Sequence, residues 1–299
     1  MKKTFLLGLG AQKAGTTWIY RYLHEHPECE LGNIKEQAVF PAYFKVGDAQ
    51  KRTLGKVKKL QEELTKFQRR VSQGKQNPAA DRNLLDRMDN LAAEKDLGYY
   101  VAYANRLVRQ NPDAKLIGDI TPVYSSLNAE QLSEIKQLLE GAGFDVKVVF
   151  LMRDPVERCY SAVRMGHRRD KAGGKSAGKA GPHAHFARNA TSDWCNARTR
   201  YETIVPDIEK VFAPENVFLG LYETFFSTEK IQGLCKFLNL SYIDADVDKK
   251  VNTSPREEEP SPEQLAEVRK FYDATYRFMA EREGEDVIAA AWPHYNRSF

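Results

Sequence analysis

A three-layer α/β fold, with a mainly parallel central sheet flanked by helices, is predicted by three observations. Short apolar runs at residues 5–9, 115–118, 146–152 and 216–223 read as buried strands, and segments with helical periodicity separate them. The residues that carry candidate chemistry follow these runs or lie in nearby loops, where parallel sheets bind ligands beyond their carboxyl ends. A length of 299 residues with 42% hydrophobic content is enough for one substantial core. The chain therefore reads as a single domain over residues 1–299, with a helical insertion at about 45–110 and a basic flexible loop at about 164–192.

Met1-Lys2-Lys3-Thr4 and the apolar residues after it imitate a signal peptide. The apolar stretch is short, and cleavage near Ala11 would remove the first strand, so a buried strand is expected. A first helix follows from Thr16 to about Glu25, with Ile19, Tyr22, Leu23 and His26 on one stripe and Pro27 near its end. A short extended piece is expected at 29–31. At 51–71, Leu54, Val57, Leu60, Leu64, Phe67 and Val71 recur at helical spacing among many charges, which describes an exposed amphipathic helix. Its stripe is assigned to core packing, with partner docking as the alternative. Residues 73–78 read as a loop, 84–107 as one further helix, and 128–139 as another. Ser261-Pro262-Glu263-Gln264 is a capping box with proline at the first helical position. It opens a final helix whose stripe includes Leu265, Val268, Tyr272, Tyr276 and Met279.

Gly10-Ala11-Gln12-Lys13-Ala14-Gly15-Thr16-Thr17-Trp18, between the first strand and the first helix, has the form of a phosphate-cradling loop. Amide groups at a helix N-terminus lack intrahelical partners and carry the positive end of the macrodipole, so they attract anions. A nucleoside-triphosphate loop ends in Gly-Lys-Ser/Thr. Here Gly10 and Gly15 keep the spacing and Thr16 and Thr17 supply hydroxyls, but the only lysine is Lys13, inside the loop. The arrangement for magnesium and the β- and γ-phosphates is therefore incomplete, which points to sulfuryl transfer rather than ATP hydrolysis. An ordinary glycine turn before a helix is the plain alternative.

A second motif follows the strand at 146–152: Arg153-Asp154-Pro155-Val156-Glu157-Arg158-Cys159-Tyr160-Ser161. Pro155 suits the first turn of a helix, so Ser161 falls about two turns in. An arginine at a strand end offers a planar fork of donors to a phosphate. Equally, Arg153 could pair with a neighbouring carboxylate and Ser161 could fill a small site.

Together these segments resemble the sulfotransferases that use 3′-phosphoadenosine 5′-phosphosulfate (PAPS), in their bacterial and Golgi-type, heparan-sulfotransferase-like branch. The resemblance implies a P-loop-like fold in which Gln12, Lys13, Ala14, Gly15, Thr16, Thr17 and Trp18 bind the 5′-phosphosulfate. Arg153 and Ser161 would grip the 3′-phosphate. Ile34-Lys35-Glu36-Gln37-Ala38-Val39-Phe40 is similar to the segment that supplies the proposed base, which makes Glu36 the candidate; His24 and His26 rank below it because they belong to the first helix. Gly118-Asp119-Ile120-Thr121-Pro122-Val123-Tyr124 resembles an element after the third strand, either a substrate contact or a proline turn beside a packed tyrosine. Tyr222, ending a strand in Tyr-Glu, would lie near the adenine or pack in the core. The family's basic loop near the C-terminus is matched only loosely by residues 248–256, where Lys250 and Arg256 are candidates.

A net charge of +4 does not suggest a dedicated nucleic-acid binder. Four cysteines without a C-x-x-C pair suggest reduced thiols in the cytoplasm, with neither disulfides nor a zinc site, and no metal is expected. No stretch is long and apolar enough to span a bilayer, although peripheral membrane contact is compatible with the basic charge. Residues 164–188 hold seven Lys/Arg, three histidines, five glycines and one acid, and read as a mobile basic loop. It would recruit an anionic acceptor such as a carboxylated or sulfated glycan, or a phospholipid surface, or only balance charge as a solvated loop; the acceptor itself would be a glycan or a small metabolite. The rival functions are a P-loop kinase or nucleotidase and a non-catalytic polyanion-binding protein. Acceptor identity and oligomeric state are not written in the sequence.

Overall fold

The computed structural model describes residues 2–172, 181, 183–247 and 259–296. Its sheet has five strands, β1 (Thr4–Gly10), β2 (Cys29–Glu30), β3 (Leu116–Ile120), β4 (Asp145–Met152) and β5 (Val217–Leu221), in the order β2-β3-β1-β4-β5. Every pairing is parallel, with Thr4 opposite Leu116 on one side and Asp145 on the other. Helices flank the sheet, as the three-layer expectation required. All residues of β1 are buried, because a central parallel strand is covered on both faces and reads as a continuous apolar run. From β1 the chain passes to β2 at one edge, returns through β3 beside β1, and crosses to β4 and β5 on the other side, so the switch in strand order falls beside the carboxyl end of β1.

The first helix runs Thr16–His24 and buries Trp18, Ile19, Tyr22 and Leu23. Between β2 and β3 lie the helices Ala49–Ser72, Pro78–Ala93 and Leu97–Gln110. The expectation of one helix over 84–107 is corrected: the Asp96 carboxylate accepts from Gly98 N and so caps a new helix at Leu97. The stripe at 51–71 is also corrected. Val57, Leu60 and Phe67 are half-buried, but Leu54, Leu64 and Val71 are exposed, and Ala49 is the one buried residue of that helix. It packs chiefly against the helices Pro78–Ala93 and Val39–Tyr43, which leave the outer part of its apolar row uncovered. At the C-terminal end the capping box at Ser261 forms as expected, but Tyr272 interrupts the helix, giving Pro262–Phe271 and Asp273–Glu283. The predicted stripe is still buried throughout. All four cysteines are free and buried. Among the described residues no helix is long and apolar enough to cross a membrane.

Asp119, inside β3, fastens the helices of the β2–β3 connection to the sheet. It is buried and accepts hydrogen bonds from Tyr100 at 3.2 Å, Thr121 at 2.6 Å and Tyr124 at 2.5 Å. Burial pushes its carboxyl up to about 6, against the lowering by these three hydroxyl donors. The segment resembling a family element is thus a structural clasp. Asp119→Ala leaves three buried hydroxyls without their acceptor and should lower the unfolding free energy by about 3 kcal/mol. Denaturant unfolding measures this, and a loss within experimental error would refute the clasp.

Candidate functional site

The loop after β1 is held against the next strand by its own backbone, Ala11 N donating to Leu151 O at 2.7 Å. Lys13 and Gly15 both turn through the left-handed region, at φ 71° and φ 86°. Gly15 has a second constraint, because a Cβ there would lie 2.7 Å from the Phe226 ring and 3.4 Å from that of Tyr222. No side chain of Gly15 caps the helix that starts at Thr16, and the amide of Trp18 in its first turn bonds Gly15 O at 2.9 Å.

Arg153 follows β4 directly and reaches this loop. Its Nη1 donates to the carbonyl oxygen of Lys13 at 3.1 Å, and its Nη2 meets Glu157 Oε2 at 3.2 Å. The Tyr222 ring, at the end of β5, covers the guanidinium at 4.5 Å. Tyr201 fixes the Arg153 backbone from the other side: its hydroxyl donates to Arg153 O at 2.9 Å and lies 3.2 Å from Arg153 N. Lys13, Arg153 and Tyr222, drawn from three strand ends, therefore converge as expected. Burial, then the charges of Arg153, Arg168, Arg164 and Arg169, pull the Lys13 ammonium down to about 8.

The loop after β2 joins from the other side of β1. Lys35 Nζ donates to Thr17 Oγ1 at 2.6 Å and pairs with Glu36 at 3.2 Å, leaving Glu36 half exposed at the mouth of the site. The two histidines lie elsewhere. His24, at the far end of the first helix, stacks on Tyr20, while buried His26 contacts Ser241 O at 2.8 Å and accepts from Glu28 N.

Two of the loop residues are already committed to the protein. Trp18 is buried, stacks on Tyr22 at 5.3 Å and directs its indole N–H at Asp246 O, while its backbone N–H bonds Gly15 O. Ala14 N is spent on Ala11 O at 3.1 Å, so Ala14 shapes the loop without donating from it. Ser161 is buried on the helix Pro155–Ala172, one turn beyond Glu157 on the same face by the four-residue repeat.

That helix also corrects the basic loop expected from residue 164. Helical backbone continues to Ala172, because Arg164 to Ala172 contain no proline and only one glycine, and the chain is helical again at Phe186–Ala190. Arg164, Arg168 and Arg169 thus act on Lys13 from a helix. Residues 173–180 and 182, and the candidates Lys250 and Arg256, lie outside the described residues.

Sequence reasoning missed the carboxylates around Arg153. Asp154 is fully buried, accepting from Tyr276 Oη, Glu157 N and His294 N, each at 3.0 Å. Glu223 Oε1 accepts from Asp154 N at 3.0 Å, and burial pushes the Glu223 carboxyl up to about 7. A cavity of about 690 Å³ opens beside Arg153, with Glu157, Glu223, Leu265 and His294 among its walls. The signal available was the acids that follow β4 and β5, Asp154, Glu157 and Glu223, but the partners Tyr276 and His294 come from the distant C-terminal part of the chain.

A family model described as the sulfotransferase family matches residues 6–244. Among solved structures the chain is similar to a sulfotransferase from Alicyclobacillus acidocaldarius, at 19% identity over 99% of this chain and 100% of that one, with a TM-score of 0.57. Similar too is the sulfotransferase domain from the curacin biosynthetic pathway, at 18% identity over 81% of this chain and 75% of that one, TM-score 0.46. The sulfotransferase domain from the Synechococcus PCC 7002 olefin synthase follows at 16% identity, 90% and 86% coverage and TM-score 0.44. No curated protein matches the chain.

With Lys13 cationic below about 8 and neutral above it, binding of inorganic sulfate should weaken as pH rises through that value. Lys13→Arg, which stays charged, should abolish the pH step, and Lys13→Ala should weaken binding by about tenfold at pH 7. Thermal-shift titrations with sulfate read both; a pH step that persists in Lys13→Arg would assign it to another group.

Proposed function

The chain belongs to the sulfotransferase family, and from that premise we propose that it moves a sulfuryl group from PAPS to a hydroxyl or amine of an acceptor. The observation that carries this reading is the hydrogen bond from Arg153 to the carbonyl of Lys13, which joins the lysine loop to the arginine motif. A donor with a phosphosulfate on one side of its ribose and a phosphate on the other needs two adjacent cationic sites of this kind. The fit is supported by the buried Arg153 Nε, which has no hydrogen-bond partner among the described residues, and by Gly15, whose missing side chain lets the loop lie close under Tyr222.

In this reading the donor supplies the sulfuryl group and its own leaving group, and needs no metal. Lys13, Gly15, Thr16 and Thr17, with Gln12 beside them, hold the phosphosulfate, and Lys13 stabilises negative charge that develops on the leaving oxygen. Arg153 and Ser161 hold the 3′-phosphate, with Tyr222 on the adenine side. Glu36 takes the proton from the acceptor nucleophile as it attacks sulfur. Its ion pair with Lys35, itself bonded to Thr17, supports that role by linking it to the phosphosulfate loop. The arginines of the helix Pro155–Ala172 favour an anionic glycan or small metabolite as acceptor. Scattered free cysteines favour a cytoplasmic setting.

Calorimetry with adenosine 3′,5′-bisphosphate, 5′-AMP and ATP tests the donor. The bisphosphate should bind at least about tenfold tighter than AMP, and Arg153→Ala should erase the difference. Equal affinities in the wild type would overturn the assignment, and tighter binding of ATP would favour a kinase. Glu36→Gln, assayed with labelled PAPS against an acceptor panel, should lose about 10²- to 10⁴-fold in turnover with bisphosphate affinity intact. Undiminished turnover excludes Glu36 as the base.

A further inference from the structure

Resting on the PAPS reading, we infer that Glu157 is an internal stand-in for the nucleotide's 3′-phosphate, a carboxylate that occupies the Arg153 fork in the free protein and is exchanged for phosphate on binding. The fork is half used. One guanidinium edge presents Nε and Nη2 together, the edge that accepts a two-oxygen anion. Glu157 Oε2 takes only Nη2 of this edge, at 3.2 Å, while Nε is buried without a hydrogen-bond partner among the described residues. The remaining nitrogen, Nη1, is committed to Lys13 O. The guanidinium is thus oriented from behind and incompletely satisfied in front, which is the state expected of a site shaped for a larger oxyanion.

The position of Glu157 on the helix gives the exchange its specificity. Arg153 stands just before the helix and pairs with Glu157 in its first turn, and Ser161 follows four residues later on the same helix face, so along the chain the carboxylate stands between the two donors assigned to the phosphate. A phosphate spanning Arg153 and Ser161 must displace it. Glu157 has somewhere to go: Oε1 is already 3.4 Å from His294 Nε2, and His294 is held by its backbone N–H on Asp154. Both members of the Arg153–Glu157 pair are largely buried, with side-chain exposures of 15% and 12%, so their attraction is poorly screened. Ligands without a 3′-phosphate must either leave the pair intact or break it for nothing. Glu157 is therefore a positioning residue that keeps the Arg153 fork oriented and neutralised until a 3′-phosphate replaces it, at a cost in affinity that falls on the bisphosphate and not on a mononucleotide.

Removing the charge while keeping the shape should improve binding, an effect that structural damage does not produce. Glu157→Gln is expected to bind adenosine 3′,5′-bisphosphate about tenfold tighter than the wild type, with 5′-AMP changed much less. If the wild type prefers the bisphosphate but Glu157→Gln shows an unchanged or smaller preference, the stand-in role is wrong and the PAPS reading survives. If the wild type shows no preference, the PAPS reading fails and takes this inference with it. A crystal structure of the wild type with the bisphosphate gives a test that does not depend on the variant folding. Arg153 Nη2 should then contact the 3′-phosphate, with Glu157 beyond hydrogen-bonding distance of it; an intact Arg153–Glu157 pair overturns the proposal.

Discussion

Arg153 donates to the carbonyl of Lys13 across 140 residues of chain, and the geometry of the site depends on that one bond. It ties the loop after β1 to the loop after β4, two segments that each bring a positive charge and would otherwise repel. Three features make the approach tolerable: the guanidinium meets a carbonyl rather than the ammonium, Glu157 neutralises it, and the face of Tyr222 covers it. The remaining repulsion is visible on Lys13, whose proton is held less tightly than in an ordinary lysine because of burial and then Arg153. Positive charge concentrated in advance, at the carboxyl edge of a rigid sheet, is what stabilises an anion without reorganisation.

The bond is dependable because the Arg153 backbone is fixed from below. Tyr201 contacts both its N and its O, and the next residue, Asp154, gathers Tyr276, His294 and the first turn of the following helix. Asp154 is a fully buried carboxyl, a costly arrangement unless its oxygens find partners. Its partners are mostly backbone or neutral hydroxyl donors, and burial accordingly raises its carboxyl above the usual range. The C-terminal helices thus reach the site indirectly, by holding the turn that aims Arg153.

The strands, the first helix and the capping box at Ser261 could be read in the sequence because each depends on local signals: apolar runs, proline at a first turn, a Ser cap. Ser261 forms the capping box its spacing implies, and Asn128 forms a second one that the structure adds. Lys13, Arg153 and Tyr222 were legible as a group because strand ends of a parallel sheet share an edge. What could not be read is what depends on distant partners. Nothing near Trp18 announces that Asp246 will take its indole proton, or near Asp119 that Tyr100 will cover it. The basic run after Arg164 looked like a loop because glycine content was averaged over the whole segment. Its first nine residues carry a single glycine, too little to stop a helix already propagating from Pro155.

The loop's departure from a triphosphate-binding pattern also has a structural counterpart. In a Gly-Lys-Ser/Thr loop the last hydroxyl ligates magnesium and the lysine before it follows the phosphates. Thr17 stands at that hydroxyl position, and its oxygen is 2.6 Å from the ammonium of Lys35, delivered by the loop after β2. A side-chain cation therefore sits against the hydroxyl that the other pattern gives to a metal, while the loop's own lysine has moved inward to Lys13. Lys35 brings Glu36 with it as an ion-pair partner, so the carboxylate lies next to the phosphate-cradling loop. Charge supplied by fixed ammonium and guanidinium groups suits a donor whose reacting centre needs positioning and one stabilised leaving oxygen more than it suits the bridging of β- and γ-phosphates.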